Sequence, residues 1–99
     1  MSLSEYSEML SKSTLSTDRA KVAQVHRVGR RIAAAAEEFL RETGQADQVR
    51  YYDWEYNLIE DDKMINAWAM PGGKIAVYTG ILPVAGGDAG LAVVMGHEV

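Results

Sequence analysis

Residues His97 and Glu98 set an imidazole beside a carboxylate in an otherwise apolar, glycine-containing stretch. On a helix, His-Glu opens the arrangement His-Glu-x-x-His. Its two imidazoles lie one turn apart on one face and reach a single divalent metal. The intervening carboxylate takes a proton from metal-bound water, whose pKa zinc lowers to about 7. His97 is therefore a candidate metal ligand and Glu98 a candidate general base. Only the first two letters are present, and the second histidine would fall two residues past Val99. Taken alone the dipeptide is weak, because a solvated His-Glu pair on a helix surface has the same letters. The other histidine, His26, sits between Val25 and Arg27 and reads as a boundary residue without a chemical role. Cysteine is absent, which removes thiolate ligands and disulfides.

The elements that must position this pair follow from periodicity. Residues 1–16 read as a tail or a short helix. Leu15-Ser16-Thr17-Asp18 is a helix start, and small or apolar residues then recur at Val22, Val25, Gly29, Ile32, Ala36, Phe39 and Leu40. Those steps of three and four predict one long amphipathic helix over residues 17–43, with Gly44 as its terminator. The period then changes. Tyr52, Trp54, Tyr56 and Leu58 alternate with polar residues and predict a strand over residues 49–59. Further strands are expected over residues 64–70 and 74–79, joined by the tight turn Pro71-Gly72-Gly73. Gly80-Ile81-Leu82-Pro83 leads to a glycine-rich loop, Ala85-Gly86-Gly87, and Asp88 reads as the cap of a last helix. The fold class is α+β: a long N-terminal helix, a three-stranded antiparallel meander, then the helix that carries His97 and Glu98.

The stretch before that helix carries a more specific signal. Asn66-Ala67-Trp68-Ala69-Met70-Pro71-Gly72-Gly73, followed by the apolar strand ending Thr79-Gly80-Ile81-Leu82, resembles the signature of HtpX-like and CAAX-prenyl-protease-like zinc metallopeptidases. The match in order and spacing runs from Ile65 to Glu98. The resemblance implies that residues 17–99 are the N-terminal part of a zinc metallopeptidase domain, truncated within its His-Glu-x-x-His motif. It implies His97 as first zinc ligand, Glu98 as general base, and Asn66, Ala67 and Trp68 as the edge strand along which substrate lies. An edge strand has free N–H and C=O groups to which an extended peptide adds. The parent protein is expected to be a zinc-dependent endopeptidase acting on unfolded or misassembled polypeptides. The fragment itself, lacking the second and third zinc ligands, is expected to be inactive and to bind zinc poorly. The soluble branch that it resembles also implies a bacterial periplasmic or outer-membrane lipoprotein. Gly96 stands where that family more often has alanine.

Composition bounds the rest. Ninety-nine residues make one small domain or a piece of one, and a net charge of −4 argues against nucleic acid. No run of about 18 apolar residues is present to span a membrane. Glu60-Asp61-Asp62 lacks the spaced pattern of a calcium loop and reads as a solvated turn. Pro71-Gly72-Gly73-Lys74 lacks the Gly-Lys-Ser/Thr ending of a phosphate loop. The aromatic set around Tyr52 and Trp54 reads as sheet packing. A reading of a different class remains open: a non-catalytic module that captures peptides, or another copy of itself, through an exposed edge strand. A histidine two codons after Val99 separates the two.

Overall fold

The computed structural model describes residues 2–99, so Met1, the first residue of the expected tail or short helix, lies outside the described residues. The rest of that segment contains helix α1, Leu3–Lys12. Its start is fixed by a capping box: Ser2 Oγ accepts from the Glu5 N–H at 3.1 Å, and Glu5 Oε1 accepts from the Ser2 N–H at 3.2 Å.

Helix α2, Arg19–Glu42, matches the expected long helix. Asp18 caps it by accepting from the N–H groups of Ala20 and Lys21, both at 3.1 Å. At the other end Gly44 takes φ +77°, with Gln45 N–H on Leu40 O and Gly44 N–H on Arg41 O. That is a Schellman closure, which needs a residue tolerant of positive φ. The buried face holds Val25, Val28, Gly29 and Ala33. Gly29 is where the helix comes closest to the sheet: a Cβ there would lie 2.5 Å from the Tyr56 ring.

Three strands follow: β1 Glu55–Ile59, β2 Ala67–Met70 and β3 Lys74–Tyr78. The predicted first strand is shorter than expected, because Ala46–Tyr51 forms a 3₁₀ helix. The sheet is also not an antiparallel meander. Its order is β1-β3-β2, with β3 antiparallel to β2 and parallel to β1. The hairpin at Pro71-Gly72-Gly73 forms as expected, and the misplaced connection is the earlier one. The chain after β1 crosses the end of β3 and emerges on its far side. Thr79 holds that crossing: its hydroxyl accepts from the Asp61 N–H at 2.9 Å and donates to Asp62 Oδ1 at 2.7 Å. Gly80 donates to Asp61 O at 3.1 Å, and its missing side chain leaves room for the carbonyls of Asp62 and Met64. The expected link is a polar turn at Glu60 to Lys63 with a strand from Met64; β2 starts only at Ala67, and these contacts make the longer link a wrap.

Helices α3, Ile81–Ala85, and α4, Asp88–Glu98, complete the chain. No helix was expected at residues 81–85, and Ala85, read as the start of the loop, ends α3. Asp88 does not cap α4; Gly87 occupies the cap position without a side-chain bond. Val25, Val28, Leu58, Ile75, Val77, Leu91 and Met95 form the core between the sheet and the pair α2 and α4. On the reverse face, Tyr6 of α1 is buried. Covering both faces explains why Ile75, Ala76 and Val77 are all fully buried in the central strand. The outer edge of β1 is covered by residues 14–16: Ser16 N–H bonds Leu58 O at 2.9 Å, and Glu60 N–H bonds Thr14 O at 2.7 Å. Among the described residues no strand pairs with the outer edge of β2.

Candidate active site

Helix α4 lies against the sheet through Leu91 and Met95, both fully buried. Position 98 continues that stripe, seven residues after Leu91 and three after Met95, so Glu98 falls on the inward side of the helix. Glu98, itself exposed, borders a cleft of about 390 Å³ shared with Tyr52, Trp54, Ala69, Gly72 and Ile75. His97 does not border this cleft. It stands about 100° round the helix from Glu98 and is exposed.

One wall of the cleft is the β2–β3 hairpin. The other is an aromatic pair, Tyr52 and Trp54, stacked at 5.0 Å with 23° between their planes. Trp54 is fixed by its indole N–H, which donates to Glu37 Oε2 of α2 at 3.0 Å, and its ring leaves no room for a side chain at Gly73.

The register of β2 decides which backbone groups are open. Tyr78 N–H donates to Asn66 O at 3.1 Å, so Asn66 and Tyr78 form a hydrogen-bonded pair. Alternation then directs the backbone groups of Asn66, Trp68 and Met70 at β3 and those of Ala67 and Ala69 outward. The Ala67 N–H is taken by Asn66's own Oδ1 at 2.9 Å. The side chain of Trp68 lies on the reverse face, where its ring meets Tyr6 edge-on at 5.2 Å. Of the three residues expected to align substrate, Ala67 therefore has outward backbone groups. Asn66 reaches the edge through its carboxamide, and Trp68 faces away from α4. Ala69 is a second outward position that sequence reasoning missed, since parity along the edge is defined only once the partner strand is known.

Asp88, also missed as anything but a cap, orients the helix. Its carboxylate accepts from Gln24 Nε2 at 3.1 Å and from Arg27 Nε and Nη2 at 2.8 and 2.9 Å. The Arg27 hydrogen bond is the main reason that its carboxyl sits below the usual range, and the same contact raises Arg27. This pairing fixes the start of α4 against α2.

Zinc catalysis needs three protein ligands and an open position. His97 offers one nitrogen, and among the described residues no three His, Cys, Asp or Glu side chains converge.

Comparison with known proteins identifies the family. A family profile described as Peptidase family M48 matches residues 19–99. The mitochondrial metalloendopeptidase OMA1 of Schizosaccharomyces pombe is 49% identical over 45 residues, 46% of this chain and 13% of that protein. OMA1 of Saccharomyces cerevisiae is 39% identical over 46 residues, again 46% of this chain and 13% of that protein. OMA1 of Arabidopsis thaliana is 46% identical over 46 residues, 46% of this chain and 9% of that protein. The match thus spans a small part of each relative's length. These relatives correct one expectation: they are named as mitochondrial proteins, so the resemblance does not support a bacterial periplasmic or outer-membrane lipoprotein.

Proposed function

The chain belongs to peptidase family M48, a family of zinc metallopeptidases, and from that premise we propose that it is the N-terminal part of a metalloendopeptidase domain. The observation that carries this reading is the meeting of Glu98 with the β2–β3 hairpin in one cleft. Glu98 is the general base, accepting a proton from the attacking water and returning it to the leaving amine. His97 is the first of the metal ligands, with the others supplied by residues outside this sequence. An extended polypeptide adds to the outer edge of β2, pairing with the backbone of Ala67 and Ala69. Asn66 releases the Ala67 N–H to it, or donates from its own carboxamide. Unfolded or misassembled proteins are the substrate class, because an extended chain without ladder bonds of its own has both N–H and C=O groups free to pair with that edge. The stacked Tyr52 and Trp54 receive an apolar side chain of that substrate.

The test is made on a longer protein carrying these residues, with zinc content and casein cleavage measured together. Glu98→Gln is expected to retain zinc and to lose cleavage by a factor of about 10² or more. Equal cleavage by both proteins removes Glu98 from the reaction. A reading frame without a histidine two residues after Val99 removes the metal site, and leaves peptide capture or self-association at the β2 edge.

A further inference from the structure

Helix α1 precedes the segment that matches the family, which begins at residue 19. Most of it is exposed, and its one buried residue is Tyr6, 2% exposed. What Tyr6 touches is specific. Its ring packs edge-on against Trp68 of β2, with centroids 5.2 Å apart and planes at 84°. Its phenol oxygen accepts from Asn57 Nδ2 of β1 at 2.8 Å. Asn57 and Trp68 are both in register with Ala76 of the central strand. The three residues form one row across the sheet, large at both ends and small in the middle, and Ala76 is fully buried. The Tyr6 ring fills the slot above Ala76 and bridges the two outer strands.

This matters most for β2. That strand has four residues and one neighbouring strand, and its other edge is open. Its height relative to α4 is set by what presses on its two faces. Core residues including Leu91 and Met95 pack on the inner face, and Tyr6 presses on the outer one through Trp68. We propose that α1 is a clasp holding the substrate strand in place from the reverse side of the sheet, with Tyr6 as a positioning residue for peptide binding. The proposal rests on the peptidase reading for its consequence, though not for its geometry. Tyr6 touches neither the cleft nor the edge, so it acts through Trp68 alone. Burial also raises the Tyr6 hydroxyl above its usual range, which keeps the phenol neutral over the working pH span.

The experiment uses the longer protein with Tyr6→Ala, Tyr6→Leu and Tyr6→Phe, and with Glu8→Ala as a control on the exposed side of α1. Cleavage of an extended peptide is followed over substrate concentration. Tyr6→Ala is expected to raise KM about tenfold with kcat within about twofold, and Tyr6→Phe, which keeps the ring, to stay within about threefold of the parent. Unchanged KM in a folded Tyr6→Ala protein overturns the clasp, as does a fall in kcat alone. If Tyr6→Ala fails to fold, Tyr6→Leu carries the same comparison. A second measurement is independent of activity: amide exchange at Trp68, whose N–H is directed at β3. It is expected to speed up about tenfold in Tyr6→Ala or Tyr6→Leu and to stay at the parent rate in Glu8→Ala. An unchanged Trp68 rate overturns the proposal. A parent protein that binds zinc and cleaves nothing overturns the peptidase reading instead, and the exchange arm still decides the clasp.

Discussion

Two helical glycines, at 29 and 96, look alike as letters and differ in what surrounds them. A Cβ at Gly29 would meet the Tyr56 ring at 2.5 Å, whereas a Cβ at Gly96 would meet only Ile32 Cδ1, at an ordinary 3.7 Å. Gly29→Ala is therefore expected to cost about 1–3 kcal/mol by forcing α2 away from β1. Gly96→Ala is expected to stabilise by about 0.5–1 kcal/mol, because alanine loses less backbone freedom and meets no clash. Thermal melts of the two variants read the signs directly, and a loss for Gly96→Ala would show that the position needs its glycine. Close packing thus requires the glycine at 29 and not at 96. The letters of His97 and Glu98 were legible in the sequence, but their division of directions was not. It depends on Leu91 and Met95 being the buried stripe, and α4 is apolar nearly all round, so its sequence does not single out one face.

At the scale of elements, α2 and α4 were legible, while α3, the 3₁₀ helix and the order of the strands were not. The helix start read at Leu15 to Asp18 and the terminator at Gly44 are local chemistry, and α2 formed between them with Asp18 itself as the cap. Strand neighbours are settled by distant contacts, here the grip of Thr79 and Gly80 on the link after β1. Asp88 shows the same limit. Its position suggested a cap, and tertiary structure used the carboxylate to fasten α4 to α2. This predicts a pH dependence. A carboxyl held below its unfolded value stabilises the fold above the ordinary aspartate range, near about 3.9, and that contribution fades as pH falls through the depressed value. Asp88→Asn is expected to melt below the parent protein at pH 6, with the gap closing towards pH 2. A gap constant over that acid range would mean that the carboxylate's charge plays no part.

Across the whole molecule, the sheet lies between α1 on one face and α2 with α4 on the other. The α+β class was correct, but the second cover was not expected, because residues 1–16 have one large aromatic, Tyr6, and no long apolar stripe. The unpaired flank of β2 lies beside the cleft bordered by Glu98. Buried Lys74 belongs to this scale too. Its Nζ donates to Asp53 O at 2.8 Å and to Asp53 Oδ2 at 2.9 Å, tying the start of the central strand to the approach of β1. Lys74→Met removes those bonds and strands the Asp53 carbonyl. It is expected to cost about 1–3 kcal/mol, read as a lower denaturation midpoint.

The central strand is also the last of the three to be made. Both of its partners precede it in the chain, and they bond to it and not to one another. After the first 70 residues β1 therefore has only residues 14–16 to pair with, on its outer edge, and β2 has no strand beside it among the described residues. The inner-edge backbone groups of both stay hydrated until Lys74 to Tyr78 slide in between. A peptide ending at Met70 should show helical circular dichroism without a β contribution, and extending it to Gly80 should bring in all of the ladder at once.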